Sequence, residues 1–187
     1  MYSYLFIMIS RAINILKVFT LSSFIKKSLL GSLLIAVASQ ISVPLFPVPM
    51  TLQTLALALI GLLCSPSVAV SSVLLYLLMA ITGLPVLSGF VGGMSALFGF
   101  TTGYVIGFFP MVLIISFLCK FNNAIMGRVV ACGVGFSVLF FCGVTWLSFS
   151  LGLKQALQFG LYPFLLKIPV TIIVAVAFSL LVKKKRR

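Results

Sequence analysis

A lysine, a glutamine and a threonine hold most of the chemistry available in this sequence. Thr51 and Gln53 follow the proline-rich stretch SVPLFPVPM, and Lys167 sits in PFLLKIPVT, a run with no other charge. A glutamine amide offers both a donor and an acceptor, a hydroxyl does the same, and an ammonium donates only. Such a set can hold a small ligand that carries polar groups and a negative charge. It cannot carry out acid–base catalysis, because the chain contains no Asp, Glu or His. Paired carboxylates, His-activated nucleophiles, carboxylate metal sites and carboxylate proton relays are all excluded. No stretch matches GxxxxGK[ST], so ATP hydrolysis of the P-loop kind is excluded as well. Uphill transport would need energy from a partner. Cys64, Cys119, Cys132 and Cys142 lack metal or redox spacing and read as small apolar residues. The sequence points to no enzyme, no metal site and no cofactor.

The elements that must position these residues are membrane helices. Of 187 residues, 63% are hydrophobic and 7% are charged, whereas a soluble domain is about a quarter charged. The apolar runs are Leu29–Phe46, Leu52–Cys64, Val68–Ile81, Tyr104–Cys119, Ile125–Leu151 and Phe164–Val182. A straight crossing needs ~20 apolar residues, so the second and third runs span only in part or form a hairpin buried among the others.

The net charge of +13 does not indicate nucleic acid, because the charges sit at the edges of apolar runs. Arg11, Lys17, Lys26 and Lys27 precede the first run, Lys120 and Arg128 flank the link between the fourth and fifth, and Lys183 to Arg187 end the sequence. With six helices these all fall on one face, which the positive-inside bias makes cytoplasmic together with both termini. The exceptions are Lys154 and Lys167. Lys167 has two readings: it snorkels to the outer surface, or it faces an internal cavity and meets an anionic ligand.

Residues 1–27 form a separate amphipathic segment in this reading. Arg11, Asn14 and Lys17 recur at helical spacing opposite Leu5, Ile9, Ala12, Ile13, Leu16 and Phe19, which suits a helix lying on a membrane. Residues 28–187 form the six-helix transmembrane domain. Its outer connections are unusual. One holds Pro44, Pro47 and Pro49, which stiffen the turn, with Thr51 as N-cap of the next helix. The other, residues 82–103, carries Gly83, Gly89, Gly92, Gly93, Gly99 and Gly103 among apolar residues. A flexible outer loop accounts for the glycines. A capped, mostly apolar pocket accounts for the glycines and the apolar residues together.

Three stretches resemble the BioY family, the biotin-binding S components of energy-coupling factor transporters. VPMTLQTLAL (48–57) fits the family's Val-Pro-Ile-Thr-Leu-Gln-Thr signature. YLLMAITGLPVLSG (76–89) fits its second signature, and GFTTGYVIGF (99–108) fits its third with departures at Phe100 and Thr102. The resemblance begins near Ala38 and runs to the end of the last helix. It implies an all-α integral membrane protein of six helices in a bacterial cell (inner) membrane. The pocket would face outward under a cap of loops, and the ligand would be biotin. A transmembrane coupling subunit and two cytoplasmic ATPases are the implied partners. The substrate-binding residues implied are Thr51, Gln53, Tyr76, Phe90, Gly92, Gly93, Thr101, Tyr104 and Lys167.

One departure bears on the ligand. Where the family carries an aspartate and a lysine in the last helix, this chain has Ile168 and Thr171. Lys167 precedes Thr171 by about one helical turn and is the expected replacement for the family lysine. A neutral acceptor such as Gln53, Thr51 or a backbone carbonyl would replace the aspartate. Lipoate or another small carboxylated vitamin is the alternative ligand, and a ligand-free membrane scaffold is the alternative class. For the coupling subunit the docking residues expected are Gly31, Ser32 and Ala36, small residues that let helices approach. Packing within the chain's own bundle is the competing reading of the same residues.

Overall fold

The computed structural model describes residues 23–184. Over them the fold is helical apart from a two-stranded hairpin and short connections. The expected interfacial segment lies mostly outside the described residues. Its last residues belong to α1, which runs unbroken over 23–40. Helix α1 turns Ser28, Ser32, Ile35 and Ser39 inward and exposes Leu29, Leu30, Leu33 and Val37. Its small hydroxyls cost little to bury when they bond back to the helix, as the Ser32 hydroxyl does by donating to the Leu29 carbonyl at 2.8 Å.

The proline-rich stretch becomes an antiparallel hairpin. Strand β1 (Ser42–Val43) pairs with β2 (Met50–Thr51), with Ser42 opposite Thr51. The three prolines occupy the connecting loop, where a missing N–H removes no ladder bond. The expected N-cap role of Thr51 is displaced by one residue: Leu52 is the N-cap of α2 (Gln53–Leu63), and no side chain caps it. The hairpin holds Thr51 as strand, and its Oγ1 accepts the Gln53 N–H at a long 3.3 Å.

Helices α2 and α3 (Pro66–Ile81) are the two short apolar elements. Pro66 starts α3 at a position where its fixed φ and absent N–H suit a helix. After the short α4 (Met94–Leu97) come the two longest described helices, α5 (Thr102–Phe121) and α6 (Ile125–Leu151). Each is long and apolar enough to cross a membrane alone. They pack closely because small residues line the seam: a Cβ on Gly103 would collide with Trp146 and the Cys142 carbonyl. Helices α7 (Leu153–Gly160) and α8 (Tyr162–Leu165) lead into α9 (Lys167–Lys184) across a bend of 42°.

The bundle has two distinct ends. At one, Lys27, Ser65 and Phe178 border a common groove. Close in sequence to that end, the nearly buried Arg128 donates to Ser179 Oγ at 2.5 Å and to Asn123 Oδ1 at 2.8 Å. At the other end the hairpin and the starts of α2, α5 and α9 converge with the loop after α3. Helix α2 descends from the second end to the first, and α3 returns.

Candidate ligand-binding cavity

At that second end lies a cavity of about 360 Å³. Its walls are mostly apolar. Val48 comes from the hairpin loop, Leu87 and Val91 from the connection after α3, and Phe108, Phe140 and Phe164 from α5, α6 and α8. Phe140 packs edge-on to the Tyr104 ring at 6.0 Å and against Phe164 at 5.5 Å, so one wall is a continuous aromatic surface.

Six of the residues expected to bind ligand line this cavity: Thr51, Gln53, Tyr76, Thr101, Tyr104 and Lys167. Gln53 Nε2 donates to Tyr76 Oη at 2.6 Å, and Thr51 Oγ1 donates to Gln53 Oε1 at 3.1 Å. The Tyr76 hydroxyl in turn donates to the Val86 carbonyl at 3.3 Å. These groups are buried, and each has a partner, so their orientation is set before any ligand arrives. Tyr104 Oη donates to the Gly160 carbonyl at 2.7 Å, which directs its hydroxyl to the end of α7 and leaves its ring as wall.

Lys167 supplies the cation. Its ammonium donates to the Thr51 carbonyl, and no acidic side chain exists anywhere in the sequence to neutralise it. It is also the first residue of α9, where the partial positive charge of the helix N-terminus adds to its own. A half-buried ammonium in that setting favours an anion. Thr171 lies on the same side of α9, with both residues beside Phe140 and Phe164.

The other three expected ligand residues lie apart from the cavity wall. Phe90 is 71% exposed at the tip of the loop, with φ at 58°. Gly92 lies against the backbone of Gly83 and Leu84, where a Cβ would collide, and the Gly93 N–H donates to the Ala80 carbonyl at 2.7 Å. Both glycines shape the loop, and Val91 just before them reaches the cavity.

Of the residues expected to dock a partner, Gly31, Ser32 and Ala36 are buried within the bundle, and a Cβ on Gly31 would collide with the Ser72 side chain of α3. The outward face of α1 consists of larger apolar side chains. Sequence reasoning missed Gln40 and the aromatic wall. Gln40 was visible as a polar residue beside an apolar run, but nothing in the sequence showed what it reaches.

The model of the BioY family matches residues 14–187. The chain is 30% identical over 158 residues to a protein of Rickettsia prowazekii named "Probable biotin transporter BioY", covering 84% of this chain and 80% of that protein. It is 31% identical over 152 residues to "Biotin transporter BioY" of Thermotoga maritima, covering 81% and 90%. Among solved structures, the S-component for biotin from an ECF-type ABC transporter superposes with a TM-score of 0.78 at 25% identity, covering 88% of this chain and 93% of that one.

Proposed function

The chain belongs to the BioY family, and on that footing we propose that its cavity binds biotin for uptake across the membrane. It is a multi-pass membrane protein and not an enzyme. It captures the vitamin from outside and delivers it inward with a transmembrane coupling subunit and two cytoplasmic ATPases, the energy source that its own sequence lacks.

The observation that carries this reading is the pairing of an uncompensated Lys167 with the Gln53–Tyr76 pair on an apolar, aromatic-walled cavity. Biotin is an apolar bicycle with a ureido ring and a carboxylate tail. The aromatic wall suits the bicycle, the ammonium suits the carboxylate, and the amide and hydroxyls suit the ureido group. Ile168 stands where the family has an acidic residue, so a ring N–H meets a neutral acceptor here. Such a bond contributes ~0.5–1.5 kcal/mol against ~1.5–3 for a charged one.

Six crossings with both termini cytoplasmic, in a bacterial cell membrane, complete the reading. Its support is the position of the basic residues: Lys27, on the same groove as the α2–α3 link and α9, lies at the end away from the cavity. On this reading the cavity opens to the outside.

The deciding experiment is equilibrium binding of labelled biotin to the purified, detergent-solubilised chain, with lipoate and biotin methyl ester as competitors. Nanomolar biotin affinity, about −12 kcal/mol, weakened for the ester, is the expected result. Displacement by lipoate in preference to biotin would reassign the ligand, and no saturable binding of either would leave the scaffold reading.

A further inference from the structure

The cavity wall formed by Leu87, Ser88 and Val91 belongs to one short segment, and that segment is built like a door. Its two ends hang on α3. The Leu84 N–H donates to the Met79 carbonyl at 3.1 Å, and the Gly93 N–H donates to the Ala80 carbonyl at 2.7 Å. Gly83 and Gly93 flank it with φ of 89° and 97°, and a Cβ at either would meet nothing within 4 Å. Glycine adopts positive φ without strain, so the backbone can turn at these two points once their N–H bonds to the Ala80 carbonyl let go. Within the segment, Leu87 and Val91 form an isolated bridge, which makes 87–91 a single small unit.

What holds this unit closed comes from the far side, at the end of α1. Gln40 Nε2 donates to the Leu87 carbonyl at 3.0 Å, and Gln40 Oε1 accepts the Phe90 N–H at 3.0 Å. One amide thus grips both arms of the turn. Gln40 also donates to Ser39 Oγ at 2.9 Å, and the Ser39 hydroxyl donates to the Val86 carbonyl at 2.5 Å. Apolar packing contributes little at the tip, where Phe90 is mostly exposed. The Val86 carbonyl also accepts from Tyr76, whose hydroxyl takes the Gln53 amide inside the cavity, so the latch and the ligand-facing polar pair share one acceptor.

We propose that Gln40 is the latch of a hinged door, residues 84–93, through which ligand enters and leaves the cavity. Gln40 acts as a positioning residue: it contacts the door and not the ligand. The inference rests on the biotin-binding reading above.

The test is the kinetics of biotin binding, by rapid mixing and by chase, for the full chain and for Gln40→Met, which keeps the side-chain length and removes both polar ends. Association and dissociation should each accelerate roughly tenfold, the effect of about 1.4 kcal/mol of lost closure, while Kd moves by less than about threefold. Unchanged rates overturn the latch. So does faster dissociation with unchanged association, the mark of a residue that only steadies the bound state. Should Gln40→Met fail to fold, Gln40→Glu retains the acceptor for the Phe90 N–H and loses the donors. It should show the same paired acceleration at smaller size, and its absence overturns the proposal equally. If the wild-type chain binds no biotin, the functional reading fails at that step, distinct from any result on Gln40.

Discussion

Gln53 and Tyr76, 23 residues apart in sequence, meet through a 2.6 Å hydrogen bond at the base of the cavity. The bond joins the first turn of α2 to the middle of α3, and both side chains line the space a ligand would fill. A polar pair buried this deeply in a membrane bundle stays only where each group is satisfied. The pair is therefore a strut, and under the proposed function also a recognition surface, and substitution separates the two roles.

Tyr76→Phe removes the oxygen that accepts the Gln53 amide and keeps the ring. Biotin affinity should fall by roughly 3- to 20-fold, the loss of a neutral hydrogen bond together with a stranded amide. Equilibrium binding measures it. Unchanged affinity would remove the pair from the recognition surface.

Lys167→Met should cost more, because a charged contact is lost. The expected drop in biotin affinity is roughly 10- to 150-fold, from ~1.5–3 kcal/mol. The methyl ester should bind the variant about as well as biotin does. Continued preference for the free acid in the variant would assign the carboxylate to another group.

Gly103→Ala tests the seam between α5 and α6. The added methyl meets Trp146 and the Cys142 carbonyl, and backbone cannot yield as a flexible side chain can. Overpacking of this kind costs ~1–3 kcal/mol, so the thermal unfolding midpoint in detergent should fall. An unaltered midpoint would mean the two helices separate without penalty.

Gly31→Val distinguishes internal packing from partner docking on α1. The branched side chain would be driven into Ser72, so the isolated chain should lose stability before any partner is added. Full thermal stability with failed co-purification of a coupling subunit would return Gly31 to the docking surface.

How much of this was legible beforehand follows from what membrane burial does to sequence patterns. Most of the apolar runs became helices because length and composition suffice to mark them, but the first, Leu29–Phe46, is helical only to residue 40 and gives Ser42–Val43 to the hairpin, and the last is broken between α8 and α9. Gln53 and Lys167 stood out because polar and charged residues in such runs are rare and need a reason. The faces of the helices were not legible. In a soluble helix the apolar stripe points inward, but here lipid-facing and core-facing side chains are equally apolar, and small residues mark whichever contact is closest. Gly31, Ser32 and Ala36 fit a partner interface and an internal seam equally well by sequence, and the contact of Gly31 with Ser72 on α3 bears on Gly31 alone. Phe140 and Phe164 were hidden for the same reason. Gln40 was hidden because its partners are backbone atoms of a distant loop, which no side-chain pattern encodes. The Thr51 expectation failed locally: the hairpin took the residue for its own pairing.

The shortness of α3 has a consequence for the surrounding lipid. With 16 residues and a rise of about 1.5 Å each, it reaches ~24 Å, less than the ~30 Å of a typical hydrocarbon core. In the proposed six-crossing arrangement its exposed Leu74, Leu78 and Ile81 face acyl chains that must compress to meet them. Each ångström of such mismatch costs a fraction of a kcal/mol. In that arrangement the protein is matched to a thin bilayer on one flank, and the acyl-chain length of the host membrane becomes a variable in its stability.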